Sequence, residues 1–397
     1  MTGESLPVSG DPRATRPAVF VGAAHYRRPS YGHNHPLAIP RVALAFDVIK
    51  AYNALTAAEF VRSRAASVAE LTAFHTRAYV DAVKRSEAFG RVRAQDRARH
   101  QLGTLENPYF PGLFYTPALA TGGSLLAAEA VLAGRHAFSP AGGMHHAAPD
   151  QARGFCYFND VVLAILRLRE AGLRVLYLDI DAHHGDGVEA AFWEDTRVMT
   201  VSLHMDTAYA YPFQGGALTD EGGPSARGFA LNVPLPRAIH DAEYRVVFEA
   251  LWEPIVQRFR PDAVVLQTGT DALWADPLGR FCLSTSGFLG IVERVIATGL
   301  PVLATGGGGY HPLVLARAWT GVWALLSGRV LPVALPPEAS AALRAVGWGE
   351  DEDEPYYEGL FTSRLEPREE RPVRPEIHAL ARAVSRHVQG ARRAWAS

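Results

Sequence analysis

Three ionisable residues alternate where an apolar segment ends: Asp179, Asp181 and His183 in RVLYLDIDAHHGDG. Extended backbone turns every second side chain to one face, so the three can gather on one side of the chain. Carboxylate oxygens and an imidazole at that spacing suit a divalent cation, and their desolvation beside an apolar strand is costly unless a cation or partner compensates it. The plainer alternative is a polar string that ends a strand and binds water. Asp271, in LQTGTDAL, stands just past another apolar segment, where it is either a helix N-cap or a third ligand. Two carboxylates and one imidazole leave a tetrahedral ion one open position, which marks catalytic rather than structural zinc.

A second cluster lies in AGGMHHAAPD, where His145 and His146 follow a Gly–Gly turn. Such a pair is an ordinary surface or core feature unless a carboxylate holds one ring nitrogen and tunes the other as a base. Asp179 and Asp186 can both serve as that carboxylate. The turn TGGGGYHP presents Tyr310 without the GK[ST] of a phosphate loop. Its hydroxyl is either packed or a donor to a developing oxyanion.

These residues must be positioned by the elements around them. Strands are expected at 18–24, 174–180, 198–204, 263–269 and 301–305, and helices at 41–54, 117–134, 158–171, 241–259, 286–299 and 313–327, with 88–115 read as loop. Apolar strands separated by helices predict an α/β fold with a mainly parallel sheet covered on both faces, and ligands then bind beyond the strands' carboxyl ends. Residues 1–16 read as a flexible tail and 17–397 as one domain. GEDEDE (349–354) reads as a solvated loop, and 376–389 as a closing amphipathic helix.

Composition narrows the function classes. The chain has 397 residues, with 39 Lys+Arg against 41 Asp+Glu, so no global charge draws it to nucleic acid or membranes. Only Cys156 and Cys282 occur, which excludes a disulfide scaffold or a CxxC zinc site and fits a reducing compartment. No apolar run approaches the ~18–20 residues of a membrane span. A cytoplasmic protein is expected.

The motifs taken together resemble the zinc-dependent histone deacetylase superfamily, which includes acetoin-utilisation proteins and acetylpolyamine amidohydrolases. HPLAIPRV, FHTRAYVDAV, GGMHHA, GFCYFNDVVLAI, VLYLDIDAHHGDGVEAAF, VMTVSLH, QTGTDAL, GGGGY and ARAWT occur in family order. GFCYFND and the four-glycine turn are most similar to class I-like members and the bacterial acetoin-utilisation branch. The resemblance implies a three-layer arginase/deacetylase-like fold with its site at the strands' carboxyl ends, and one zinc ion held by Asp181, His183 and Asp271. It implies that His146 is the general base and acid, oriented by Asp179, that His145 pairs with Asp186, and that Tyr310 polarises the acetyl carbonyl. Gly154 and Phe155 resemble the wall of an acyl-lysine tunnel, with Tyr211 or a neighbour opposite. Leu278 resembles a rim residue, and Glu106 stands where relatives carry a substrate-binding carboxylate. Two potassium sites are implied. The inner one uses Asp179, Asp181, His183, Ser202 and Leu203, and the outer one Phe192, Asp195, Val198 and Phe229. Asp195 and Phe229 differ from the commonest residues there.

The expected reaction is hydrolysis of an acyl-lysine amide in a protein or peptide to acetate and free amine. Acetylpolyamines are the alternative substrates, and Glu106 and Asp150 do not decide between them. A binuclear ureohydrolase of the same fold would need a further DxD at the Asp271 position, which is absent. A non-catalytic acyl-lysine binder would be expected to lose a ligand, the base or the tyrosine, and all are present. Oligomeric state is not legible.

Overall fold

The computed structural model describes residues 16–28, 30–32, 35–348, 358–366 and 371–390. Eight strands form one sheet: β1 Ala18–Gly22, β2 Phe60–Arg62, β3 His136–Ser139, β4 Val175–Asp179, β5 Val198–Met205, β6 Ala230–Leu235, β7 Ala263–Gln267 and β8 Val302–Thr305. Their order is β2-β1-β3-β8-β7-β4-β5-β6, and every pairing is parallel. The sheet expected to be mainly parallel is wholly so among the described residues.

Period-2 geometry explains the layers. In β4 and β7, Leu176, Leu178, Val264 and Leu266 enter one apolar cluster, with residues of helices Arg41–Ala51, Asp241–Phe259, Thr285–Ile296, Pro312–Leu326 and Pro375–Gly390. Val175, Tyr177, Ala263 and Val265 enter the opposite cluster, with helices Tyr115–Leu132 and Asp160–Glu170. Strands buried on both sides must be apolar, and β4 and β7 are so up to their last residues, Asp179 and Gln267. The chain leaves β3, crosses to β4, builds outward through β5 and β6, then returns through β7 and β8 to meet β3. The carboxyl ends of β3, β8, β7 and β4 therefore border the crevice where the winding reverses, the place where such sheets bind ligands.

The expected strands and helices all form, with ends shifted by a few residues. Three strands, β2, β3 and β6, and helix Arg77–Phe89 were not among the expectations. The stretch read as loop over 88–115 contains helix Ala94–His100, whose sequence AQDRARH offers no apolar stripe and buries only Asp96 and His100. Arg85 pairs with Asp96 at 2.8 Å, so an ion pair supplies a contact that hydrophobic periodicity cannot reveal. Arg16, the last residue of the expected tail, donates to the carbonyls of Gly299 and Gly134. The rest of that tail and the 349–354 run lie outside the described residues. Among the described residues no helix is long and apolar enough to cross a membrane.

Candidate active site

Asp181 and His183 follow β4, and Asp271 lies in the 3-10 turn Thr270–Ala272 after β7. One donor atom from each lies within 4.8 Å of the others, so the fold brings together the three residues that the resemblance implied as ligands. Backbone amides fix both carboxylates. Asp181 accepts from His183 N at 2.9 Å and Gly308 N at 2.6 Å, and Asp271 accepts from Ala182 N at 2.9 Å. The approach of the turn after β8 requires glycine at 308, where a Cβ would lie 2.0 Å from Asp271 Oδ2.

His183 Nδ1 lies 2.8 Å from Asp271 Oδ2 and 3.4 Å from Asp181 Oδ1. Burial opposes its charge, but Asp181 and Asp271 push the ring up to about 10. Burial, then the neighbouring Asp181 charge, pushes Asp271 up to about 7. Two buried carboxylates so close repel one another and need a positive partner. A divalent cation in that place satisfies all three donors and displaces the ring's proton, so the residues present fit a metal.

His145 and His146 sit on the loop after β3. Helix Asp160–Glu170 anchors that loop: Asp160 accepts from Gly143 N and Met144 N, and Asn159 Nδ2 donates to the carbonyls of His145 and Ala147. The carboxamide and carboxylate that end GFCYFND therefore hold the histidine pair. The expected pairing of the rings is reversed. His145 Nδ1 lies 2.8 Å from Asp179 Oδ2, and His146 Nδ1 lies 2.7 Å from Asp186 Oδ1. His145 turns back to the end of β4, where Tyr177 also donates to Asp179. His146 faces Asp186, the first residue of helix Asp186–Ala191, which Arg153 pairs at 3.1 Å.

The two rings differ in charge. Burial works against protonation of His145, but Asp179 and Asp181 push it up to about 9. Burial and the His145 charge push His146 down to about 3, against the pull of Asp186. Their Nε2 atoms lie 2.9 Å apart. Tyr310 follows β8, and burial keeps its hydroxyl protonated far above the usual range. Its backbone N donates to Asp276 at 2.6 Å, and the same carboxylate accepts from Leu278 N and Gly279 N. Asp276, which the sequence reading did not single out, thus ties the tyrosine turn to the rim loop.

A cavity of about 370 Å³ joins these groups to solvent. Its walls include Gly154, Phe155, Tyr211 and Leu278 as expected, with His146, His183 and Tyr310 at its inner end. Gly154 has φ +52°, and a Cβ there would lie 2.3 Å from His146 Cδ2. The His146 and Tyr211 ring centres are 4.8 Å apart. Glu106 lines the cavity, and its carboxylate accepts from Gly154 N. Met205, at the end of β5, Tyr209, Ala210 and Phe213 from the loop that follows, and Arg237 and Arg280 from two further loops complete the wall and were missed, because no motif marks them. Arg41, also missed, is half-buried behind the inner end and donates to Gly307 O.

The expected potassium residues fall in two places. Ser202 and Leu203 lie in β5, which pairs with β4 so that Asp179 is opposite Ser202. Ser202 Oγ lies 2.9 Å from His204 Nδ1. Phe192, Asp195 and Val198 are chained by backbone hydrogen bonds at the start of β5, where Phe229 O accepts from Thr200 N. The Asp195 side chain pairs with Arg169.

Parallel sheet, reversal crevice, metal-competent triad and adjacent histidines together define an α/β protein with a hydrolytic type of site. A family model described as a histone deacetylase domain matches residues 35–326. Histone deacetylase RPD3 of Saccharomyces cerevisiae is 38% identical over 338 residues, covering 83% of this chain and 76% of its own. Histone deacetylase 8 of Xenopus tropicalis is 39% identical over 298 residues, covering 75% and 80%. A crystal structure of a histone deacetylase homologue from Aquifex aeolicus superposes with a TM-score of 0.89 at 37% identity, over 93% of this chain and 100% of that one. The chain belongs to the histone deacetylase family.

Proposed function

We propose that this protein hydrolyses acyl-lysine side chains in proteins or peptides, using one zinc ion held by Asp181, His183 and Asp271. The observation that carries the reading is the 370 Å³ cavity, which brings a walled approach, the triad, His146 and Tyr310 to one point. A zinc ion bound there supplies Lewis acidity toward an amide carbonyl and a water. Similarity to a homologue crystallised with SAHA is consistent with a ligand entering along such a cavity.

The chain's own residues then divide the work. His146 is neutral near pH 7, so it is free to take a proton from water and return it to the leaving amine. Asp186 holds its Nδ1–H and sets the ring's orientation. His145 keeps its proton beside Asp179 and supplies fixed positive charge next to the reacting atoms. Tyr310 donates its hydroxyl to the carbonyl oxygen as negative charge develops there. Gly154, Phe155 and Tyr211 line the acyl-lysine stem, Leu278 meets its exit, and Glu106 fixes the Gly154 wall. Monovalent cations belong to the proposal at two places: Asp179, Asp181, His183, Ser202 and Leu203, and Phe192, Asp195, Val198 and Phe229. So does a cytoplasmic location, which the two free cysteines support.

Incubation with an acetyl-lysine peptide should release acetate and leave the peptide with a free lysine amine, and a hydroxamate should inhibit. Rapid turnover of acetylpolyamines with every acyl-lysine peptide inert would replace this reading by the polyamine one.

A further inference from the structure

Two arginines stand at the mouth of the cavity with no assigned role. We infer that Arg237 and Arg280 select acyl-lysine segments that carry a carboxylate side chain close to the acylated residue; this rests on the deacylase reading above.

The backbone fixes both arginines together. Ala238 N donates to Arg280 O at 2.7 Å, Cys282 N donates to Ile239 O at 2.8 Å, and His240 and Cys282 form a parallel bridge. Both side chains line the cavity that ends at His146, His183 and Tyr310. The Arg237 guanidinium lies 4.3 Å from the centre of the Tyr209 ring, and Tyr209 is itself held by its hydroxyl's bond to Leu235 O. Stacking fixes the plane of a guanidinium while leaving its N–H edges available for a bidentate acceptor.

Among the described residues, neither guanidinium has a carboxylate within ion-pair distance, whereas exposed arginines elsewhere, such as Arg27, Arg227 and Arg294, have one. The single Asp or Glu of this lining, Glu106, is already turned onto Gly154 N. The mouth thus offers two unpaired cations beside exposed Phe213 and Leu278, a surface suited to an extended acidic peptide. An acetylpolyamine, whose free amines are cationic, meets the wrong sign here.

The test uses three acetyl-lysine peptides of equal length, with Glu, Gln or Lys on both sides of the acetylated residue. At low ionic strength kcat/KM should be roughly tenfold higher for the Glu than for the Lys peptide, and salt should shrink that ratio. The ratio is read within each protein, so a change in overall turnover does not obscure it. Arg237→Glu with Arg280→Glu should invert it, Arg237→Gln or Arg280→Gln alone should reduce it, and the double Arg→Lys variant should preserve its direction. A wild-type ratio near one, or the same ratio in the reversed variant, overturns the inference while leaving deacylation standing. If none of the three peptides is hydrolysed, the deacylase reading fails and the inference with it.

Discussion

The floor and the mouth of the cavity are built on opposite principles. On the floor, Asp179, Asp181 and Asp271 are fully buried at the ends of β4 and β7, and backbone amides from the turn after β4 or the loop after β8 hold them. At the mouth, Phe213 is 68% exposed and Leu278 36%, on loops that lie beyond the strand ends. Groups that must develop or neutralise charge gain most from a dry, prearranged setting, where each interaction is strong and needs no reorganisation. Groups that only recognise a substrate gain more from reach and exchangeable chemistry. The floor should therefore govern kcat, and the mouth KM and selectivity.

The largest expected break of that division is at the triad. Asp181→Ala should abolish metal binding together with activity, because it removes a ligand and leaves Gly308 N and His183 N without their acceptor. Metal analysis beside a peptide assay checks this, and two tightly bound transition metals per chain in the wild type would contradict a mononuclear site. A variant in the wall between floor and mouth should behave differently. Phe155→Ala removes an aromatic wall whose ring centre lies 6.0 Å from that of Tyr310. It should raise KM by about tenfold with a much smaller fall in kcat, since a lost wall weakens ground and transition state alike. Steady-state kinetics separates the two, and an equal loss in kcat would erase the distinction between floor and mouth.

The smallest effect concerns what supports the floor. His75 Nε2 accepts from Asn159 N at 2.9 Å, and Asn159 clamps the histidine loop; His136 Nδ1 accepts from Val302 N at 3.2 Å. Burial pushes both rings down to about 4 from 6.5. The unfolded rings take up protons near 6.5 and the folded ones only near 4, so the unfolded state binds more protons between those values. Stability is thus fully present above about pH 6.5 and is lost as pH falls toward 4, by at most roughly 3 kcal/mol per ring. Urea unfolding at pH 7 and 4.5 measures the loss. His75→Gln, which cannot titrate, should show a smaller drop, and an unchanged drop would remove His75 from the account.

This contrast also explains what the sequence made legible. The triad was readable because charge in an apolar strand end is conspicuous and period 2 fixes which side chains share a face. The α/β class was readable from apolar strands alternating with helices. The partners of His145 and His146 were not, since the spacing of a loop does not set where its side chains turn; the choice between Asp179 and Asp186 was made by the packing of three separate segments. Arg237 and Arg280 sit in loops after β6 and β7 with no motif around them, and only the fold brings them to one rim. Helix Ala94–His100 escaped for a related reason, because a charged pair and two buried polar residues hold it rather than an apolar stripe.

The central claim is that the floor's groups act on the transition state while the triad alone holds the metal. Tyr310→Phe tests it most directly, because it deletes one hydroxyl from a buried ring and leaves Asp181, His183 and Asp271 intact. Turnover of an acetyl-lysine peptide, measured with zinc content and hydroxamate affinity on the same sample, should show kcat lower by about 10²–10³. Zinc should remain at one ion per chain, and inhibitor binding should fall far less than kcat. Near-wild-type turnover in Tyr310→Phe would contradict the account and leave Tyr310 as a packed aromatic.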